Sequence, residues 1–153
     1  MNQTKINFYL EIIRKSHDAF KEFLVHLPEG ILNWELHEFA NTVNWMVQHI
    51  IHDQMWIANV ILNNQNEGKH FKKESKDITL EDMLETYDNL TSKTESMFQR
   101  LKDEHLTESR SYKDYLMSVE EWFFEYIHHL NQHAGELALY LTIWKREQRS
   151  SKN

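Results

Sequence analysis

An all-α four-helix bundle is the fold this sequence predicts, on three observations. The 153 residues include only 3 Gly and 1 Pro, too little turn chemistry for many short strands. Apolar residues recur at three- and four-residue steps in four separate segments, the period of amphipathic helices. Hydrophobic residues make up 41% and charged residues 27%, the balance of a globular chain with a buried core. A single domain, residues 1–153, is ample at this length for one core.

The first helix carries Ile6, Leu10, Ile13, His17, Phe20, Leu24 and Leu27 on one stripe. Pro28-Glu29-Gly30 stops it, because Pro restricts the residue before it and Gly favours turns. Asn41-Thr42 caps the second helix, whose stripe holds Val43, Met46, His49, Ile50, Ile57 and Ile61. The polar stretch from Asn63 to Asp77, with Gly68, reads as a loop. A third helix opens at Thr79, with Asp82 three residues on, and runs through Leu80, Met83, Tyr87, Leu90, Met97 and Leu101. Ser118 and Glu121 form a capping box for the fourth, in which each side chain serves the other's free backbone N–H. Val119, Trp122, Tyr126, Leu130, Leu137 and Trp144 carry that helix into a basic tail, Lys145, Arg146 and Arg149, suited to the negative end of the helix dipole. Helices two and four are expected to span roughly 25–30 residues each, about 38–45 Å. The segments Glu29–Ala40 and His105–Met117 read as connections long enough to join non-adjacent helices, so a plain up-down order is not imposed.

Composition excludes several functions. The absence of Cys removes disulfides, iron–sulfur clusters, thiolate zinc ligands and cysteine nucleophiles. A net charge of -7 argues against a general nucleic-acid binder, whose affinity rests on neutralising phosphates. The opening residues lack the basic and apolar regions of a signal peptide. No apolar run approaches the ~18 residues of a membrane span. The expectation is a soluble cytoplasmic protein with no nucleic-acid or membrane partner.

Histidines inside the apolar stripes carry the chemistry. His129 and His133 are four apart, so their rings project from one helix face, one turn apart. Val119, Trp122, Tyr126 and Leu137 share that face, which points the pair inward. Buried imidazoles need partners for their ring nitrogens, and a divalent metal supplies one to each ring. His49 is a third inward histidine, on the line Thr42, Met46, His49, Asp53, Trp56 and Val60. Three ligands on facing helices of a bundle leave positions open for water or substrate, the pattern of a catalytic site. The competing reading is a set of core histidines hydrogen-bonded to backbone carbonyls or Glu side chains. Gly135, mid-helix and two residues past His133, suggests a close approach by a helix or ligand, because Gly there costs about 1 kcal/mol against Ala.

The remaining candidates are weaker. Asp53, one turn after His49, is the best candidate to accept a ligand histidine's free ring N–H and fix its tautomer; Glu125 before His129 and Glu136 after His133 are alternatives. Glu125 and His128 form one Glu-xx-His unit, but a di-iron bundle needs a second unit and further inward carboxylates that helix two lacks. His17, with no spaced partner, reads as a satisfied core histidine. His52 and His128 point away from the site, and His26, His37, His70 and His105 fall near helix ends or in loops.

At these residues the sequence resembles the DinB/YfiT-like superfamily of bacterial metal-binding four-helix bundles. The resemblance runs through Leu27-Pro28-Glu29 and Leu32-Asn33-Trp34, then Asn41-Thr42-Val43-Asn44-Trp45-Met46-Val47-Gln48-His49, where a capping Thr precedes the His by seven residues. It ends at His129-Leu130-Asn131-Gln132-His133-Ala134-Gly135-Glu136-Leu137, similar to the family's paired-His motif leading into Gly and Gln or Glu. Ala134 stands where many members have Arg, a departure that leaves the ligand set intact. The resemblance implies His49, His129 and His133 as metal ligands, a divalent ion such as nickel or zinc, a helix order with crossover connections, and a homodimer. It also implies, for some members, transfer of low-molecular-weight thiols such as bacillithiol or mycothiol; many others have no assigned activity.

Three functions follow as expectations. The first is a metal-dependent S-transferase, in which the cation favours the thiolate of a small-molecule thiol cosubstrate; among Trp45, Trp56, Trp122 and Tyr126, at least half are expected to be ordinary core packing and the rest to border an apolar pocket for the small-molecule substrate. The second is metal-dependent hydrolysis, which needs a general base. The third is a metal-stabilised bundle that binds a ligand or partner without turnover.

Overall fold

Capping chemistry sets where the helices begin. The computed structural model describes residues 4–28, 30–63 and 78–151. Helix α1, Lys5–Val25, starts at Thr4, whose hydroxyl accepts from the Asn7 N–H, while the distant Asp103 carboxylate accepts from the N–H groups of Lys5 and Ile6. Helix α2, Val43–Ile61, starts at Thr42, whose hydroxyl accepts from the Trp45 N–H at 2.9 Å. Helix α3, Leu80–Phe98, and helix α4, Val119–Ser150, both open with reciprocal capping boxes, Thr79 with Asp82 and Ser118 with Glu121. These contacts satisfy N–H groups that a helix cannot pair internally.

Three length expectations are corrected. Helix α2 has 19 residues, because Leu62 caps it and Asn63 turns out at φ 58°. Helix α4 has 32 residues and passes through Gly135 without a break. Helix α3 ends at Phe98, short of Leu101. The segment 105–117 is also more than a connection. A 3-10 turn, Asp103–Thr107, leads into strands β1, Ser109–Tyr112, and β2, Tyr115–Ser118, paired antiparallel with Tyr112 opposite Tyr115. Lys113 takes the left-handed conformation (φ 50°) that a two-residue hairpin turn requires. Trp122 Nε1 donates to the Arg110 carbonyl, and Arg110 Nε donates to the Ile61 carbonyl at the open end of α2. The hairpin thereby closes one end of the bundle.

The core shows how the helices run. At one end, Ile6, Tyr9 and Ile13 of α1 pack with Ile57 and Ile61 of α2, Phe98 of α3, and Trp122 and Tyr126 of α4. At the other, Phe20 and Leu24 meet Val43, Met46 and Ile50, then Met83 and Tyr87, then Leu130 and Leu137. Helices α1 and α4 therefore run one way, and α2 and α3 the other. Helix α2 lies beside α4 and α3, and α1 completes the ring against α4 and α3. Because α2 and α3 are parallel, the end of α2 and the start of α3 lie at opposite ends of the bundle, in keeping with the crossover the resemblance implied. The polar stretch read as a loop, with Gly68 and His70, lies almost wholly outside the described residues, as does Glu29. Among the described residues, no helix is long and apolar enough to cross a membrane.

Candidate metal centre

The antiparallel neighbours α2 and α4 bring His49, His129 and His133 together at mid-bundle. One ring nitrogen from each lies within 4.8 Å of the other two. Two nitrogens on one zinc ion are about 4 Å apart at most, so small side-chain movements suffice for the three to share an ion. The ring centroids stand 5.2 Å (His49–His129), 4.9 Å (His49–His133) and 4.6 Å (His129–His133) apart. The three side chains are 14–20% exposed, held by the core on one side and open to entry on the other.

Neighbouring groups fix each ring differently. His133 Nδ1 donates to Glu136 Oε2 at 2.6 Å, which orients the ring and leaves Nε2 for a metal. His49 stacks on Trp45, centroids 4.8 Å apart and planes 17° off parallel. The amide Nε2 of Gln54, a residue with no exposed surface, donates to the Tyr126 carbonyl (3.1 Å) and to His129 Nδ1 (3.3 Å). Burial, followed by the proximity of His133, His49 and His128, pushes the His129 imidazole down to about 3. At neutral pH the ring is thus uncharged, and its one lone pair is the Nδ1 pair that accepts from Gln54.

Asp53 lies between two of these rings, Oδ1 at 3.7 Å from His49 Nδ1 and Oδ2 at 3.7 Å from His129 Nε2. Both distances exceed a hydrogen bond, so the expected ring N–H acceptance by Asp53 is not made. Its Oδ1 is buried and has no hydrogen-bond partner. A buried carboxylate oxygen in that condition fits a site for a cation. Three imidazoles beside it form a donor set that suits zinc, nickel, iron or copper.

The other sequence readings divide. Glu125 is exposed and does not reach His129, whose Nδ1 is taken by Gln54 from α2 instead. Gly135 faces open space: a Cβ built there meets nothing within 4 Å, so no neighbouring helix makes the close approach at this position. His17 is the satisfied core histidine predicted, with Nδ1 2.5 Å from Tyr87 Oη and Nε2 2.9 Å from Tyr126 Oη. His52 and His128 are exposed. Gln54 was not foreseen, since its one sequence signal is an amide among apolar neighbours and its partner is a backbone carbonyl 72 residues away.

A model of the DinB superfamily matches residues 12–137. The chain belongs to the DinB superfamily. No curated protein matches it. Solved structures show the same fold at low identity. A DinB-like protein from Bacillus cereus is 17% identical with a TM-score of 0.75 over 95% of both chains. A DinB-like protein from Bacillus subtilis is 17% identical with a TM-score of 0.74 over 91% of this chain and 93% of that one. A conserved protein from Enterococcus faecalis is 13% identical, with a TM-score of 0.64 over 92% and 96%.

Proposed function

We propose that this DinB-superfamily chain is a divalent-metal-dependent enzyme that transfers a low-molecular-weight thiol to a small electrophilic substrate. The observation that carries the reading is the convergence of His49, His129 and His133, with one ring nitrogen from each within 4.8 Å of the other two. A bound divalent cation, nickel or zinc, would supply a Lewis acid that favours the thiolate form of an incoming thiol.

The chain's own residues favour a thiol over water as nucleophile. A thiol ionises near pH 8.5 and water near 15.7, so water needs the stronger base. Among the described residues, Glu136 is occupied by His133 and Asp53 is wedged between His49 and His129, leaving no separate carboxylate aimed at the centre. The chain has no Cys of its own, so the thiol is a cosubstrate. Its sulfur forms the new bond to carbon, the leaving group departs with the electron pair, and the thiol proton passes to solvent. Trp45, stacked on His49, and the half-buried Trp34, Tyr140 and Trp144 give that end of α2 and α4 an aromatic border.

The test is metal content by inductively coupled plasma mass spectrometry on untagged protein, followed by conjugation of bacillithiol to a panel of electrophiles. Near-stoichiometric nickel or zinc, lost in the His49→Ala/His129→Ala/His133→Ala variant, with conjugate formed only by loaded protein, is the expected result. Loaded protein that yields no conjugate would overturn the thiol assignment.

A further inference from the structure

We propose that Asp53 is itself a ligand of the ion, making the site three imidazoles and one carboxylate. The inference rests on the metal reading above and assigns Asp53 a different part from holding a histidine in place. The site contains its own standard of comparison. Glu136 shows what an orienting carboxylate looks like, with one oxygen 2.6 Å from one ring nitrogen. Asp53 stands instead 3.7 Å from nitrogens of two different rings on two different helices. That equidistant place, too far for a hydrogen bond to either ring, is where a fourth donor to a shared ion belongs.

Burial points the same way. Asp53 is 9% exposed, and its Oδ1 is sealed from solvent without a hydrogen-bond partner. Its nearest basic groups are the two histidines, with no lysine or arginine nitrogen within 4.0 Å among the described residues. A carboxylate so placed is costly unless a cation neutralises it. Sequence geometry permits the role, because Asp53 follows His49 by one helical turn and projects from the same face.

The test is cobalt(II) titration of metal-free wild type, Asp53→Asn and Glu136→Gln, read by visible absorption and by competition with a chelator. A carboxylate that only orients a ligand changes affinity by about 10–100-fold and leaves the ligand-field bands in place, the result expected for Glu136→Gln. Asp53→Asn should move those bands and weaken binding further. It should also raise the melting temperature of the metal-free protein, because an unpaired buried charge is removed. As the chain has no Cys, Asp53→Cys serves as the second variant, with a sulfur-to-cobalt charge-transfer band in the near ultraviolet expected. Should Asp53→Asn fold poorly by circular dichroism, the Cys variant decides: the band supports ligation, and bound cobalt without it counts against. Wild type that binds cobalt while folded Asp53→Asn shows the same spectrum would overturn this inference and leave the three-histidine site standing. Wild type that binds no metal would overturn both.

Discussion

Acid should destabilise this bundle through His17, and the size of the effect follows from its surroundings. His17 is 6% exposed and bridges the hydroxyls of Tyr87 on α3 and Tyr126 on α4. Burial pushes its imidazole from 6.5 to about 4, with a smaller opposing pull from Glu95. Burial also drives both tyrosines upward, so they stay protonated throughout. As pH falls through 6.5 the unfolded chain takes up a proton that the folded one refuses until about 4. The unfolded state then binds more protons, so stability present above pH 6.5 is lost as pH drops towards 4. The difference between those two values is worth about 3 kcal/mol. Urea denaturation of metal-free wild type and His17→Gln, at steps from pH 7.5 to 4, isolates it, because His129 and the other titrating groups are common to both proteins. The stability difference between them should shrink by about 3 kcal/mol across the range. A difference that stays constant with pH would refute the reasoning.

Four further outcomes are expected. Gly135→Ala should raise stability by about 1 kcal/mol, because the new methyl group meets nothing within 4 Å; thermal melting of metal-free protein measures it. Ser118→Ala should cost about 1 kcal/mol, since it breaks the capping box that opens α4, and urea denaturation reads the loss. Gln54→Leu should tighten metal binding by roughly tenfold with all three histidines intact, because the N–H that competes for the His129 Nδ1 lone pair is gone, as chelator competition would show. Nickel or zinc at 100 times its dissociation constant should stabilise wild type by about 2.7 kcal/mol and leave the triple histidine variant unmoved, a contrast visible in thermal melts.

The helices were legible because their signals are local. Thr42, Thr79 with Asp82, and Ser118 with Glu121 each sit where the cap is found, and the apolar stripes give the buried faces. The hairpin was not legible. Its strands are only four residues long, β2 shows no alternation of burial, and Lys113-Asp114 turns without the Gly that marks such loops. The parallel pairing of α2 with α3 is a long-range fact that no helical period contains; only the resemblance implied a crossover. At the site, the stripes were enough to bring the three histidines together, because a shared helix face becomes a shared wall once the bundle closes. Helix spacing alone could not decide which carboxylates touch a ring. Glu136 does and Glu125 does not, and the difference lies in Gln54, which arrives from the other helix.

Trp45 lying flat on His49 gives the protein a built-in optical gauge. An indole in van der Waals contact with an imidazole that holds an open-shell ion such as nickel or cobalt has a non-radiative route for its excited state. Closed-shell zinc offers no such route. Ultraviolet-excited emission should therefore dim on nickel loading and persist on zinc loading, and the part that dims should vanish in Trp45→Phe. The same stacking that steadies a ligand ring thus allows the two candidate ions to be told apart in a cuvette, without labels.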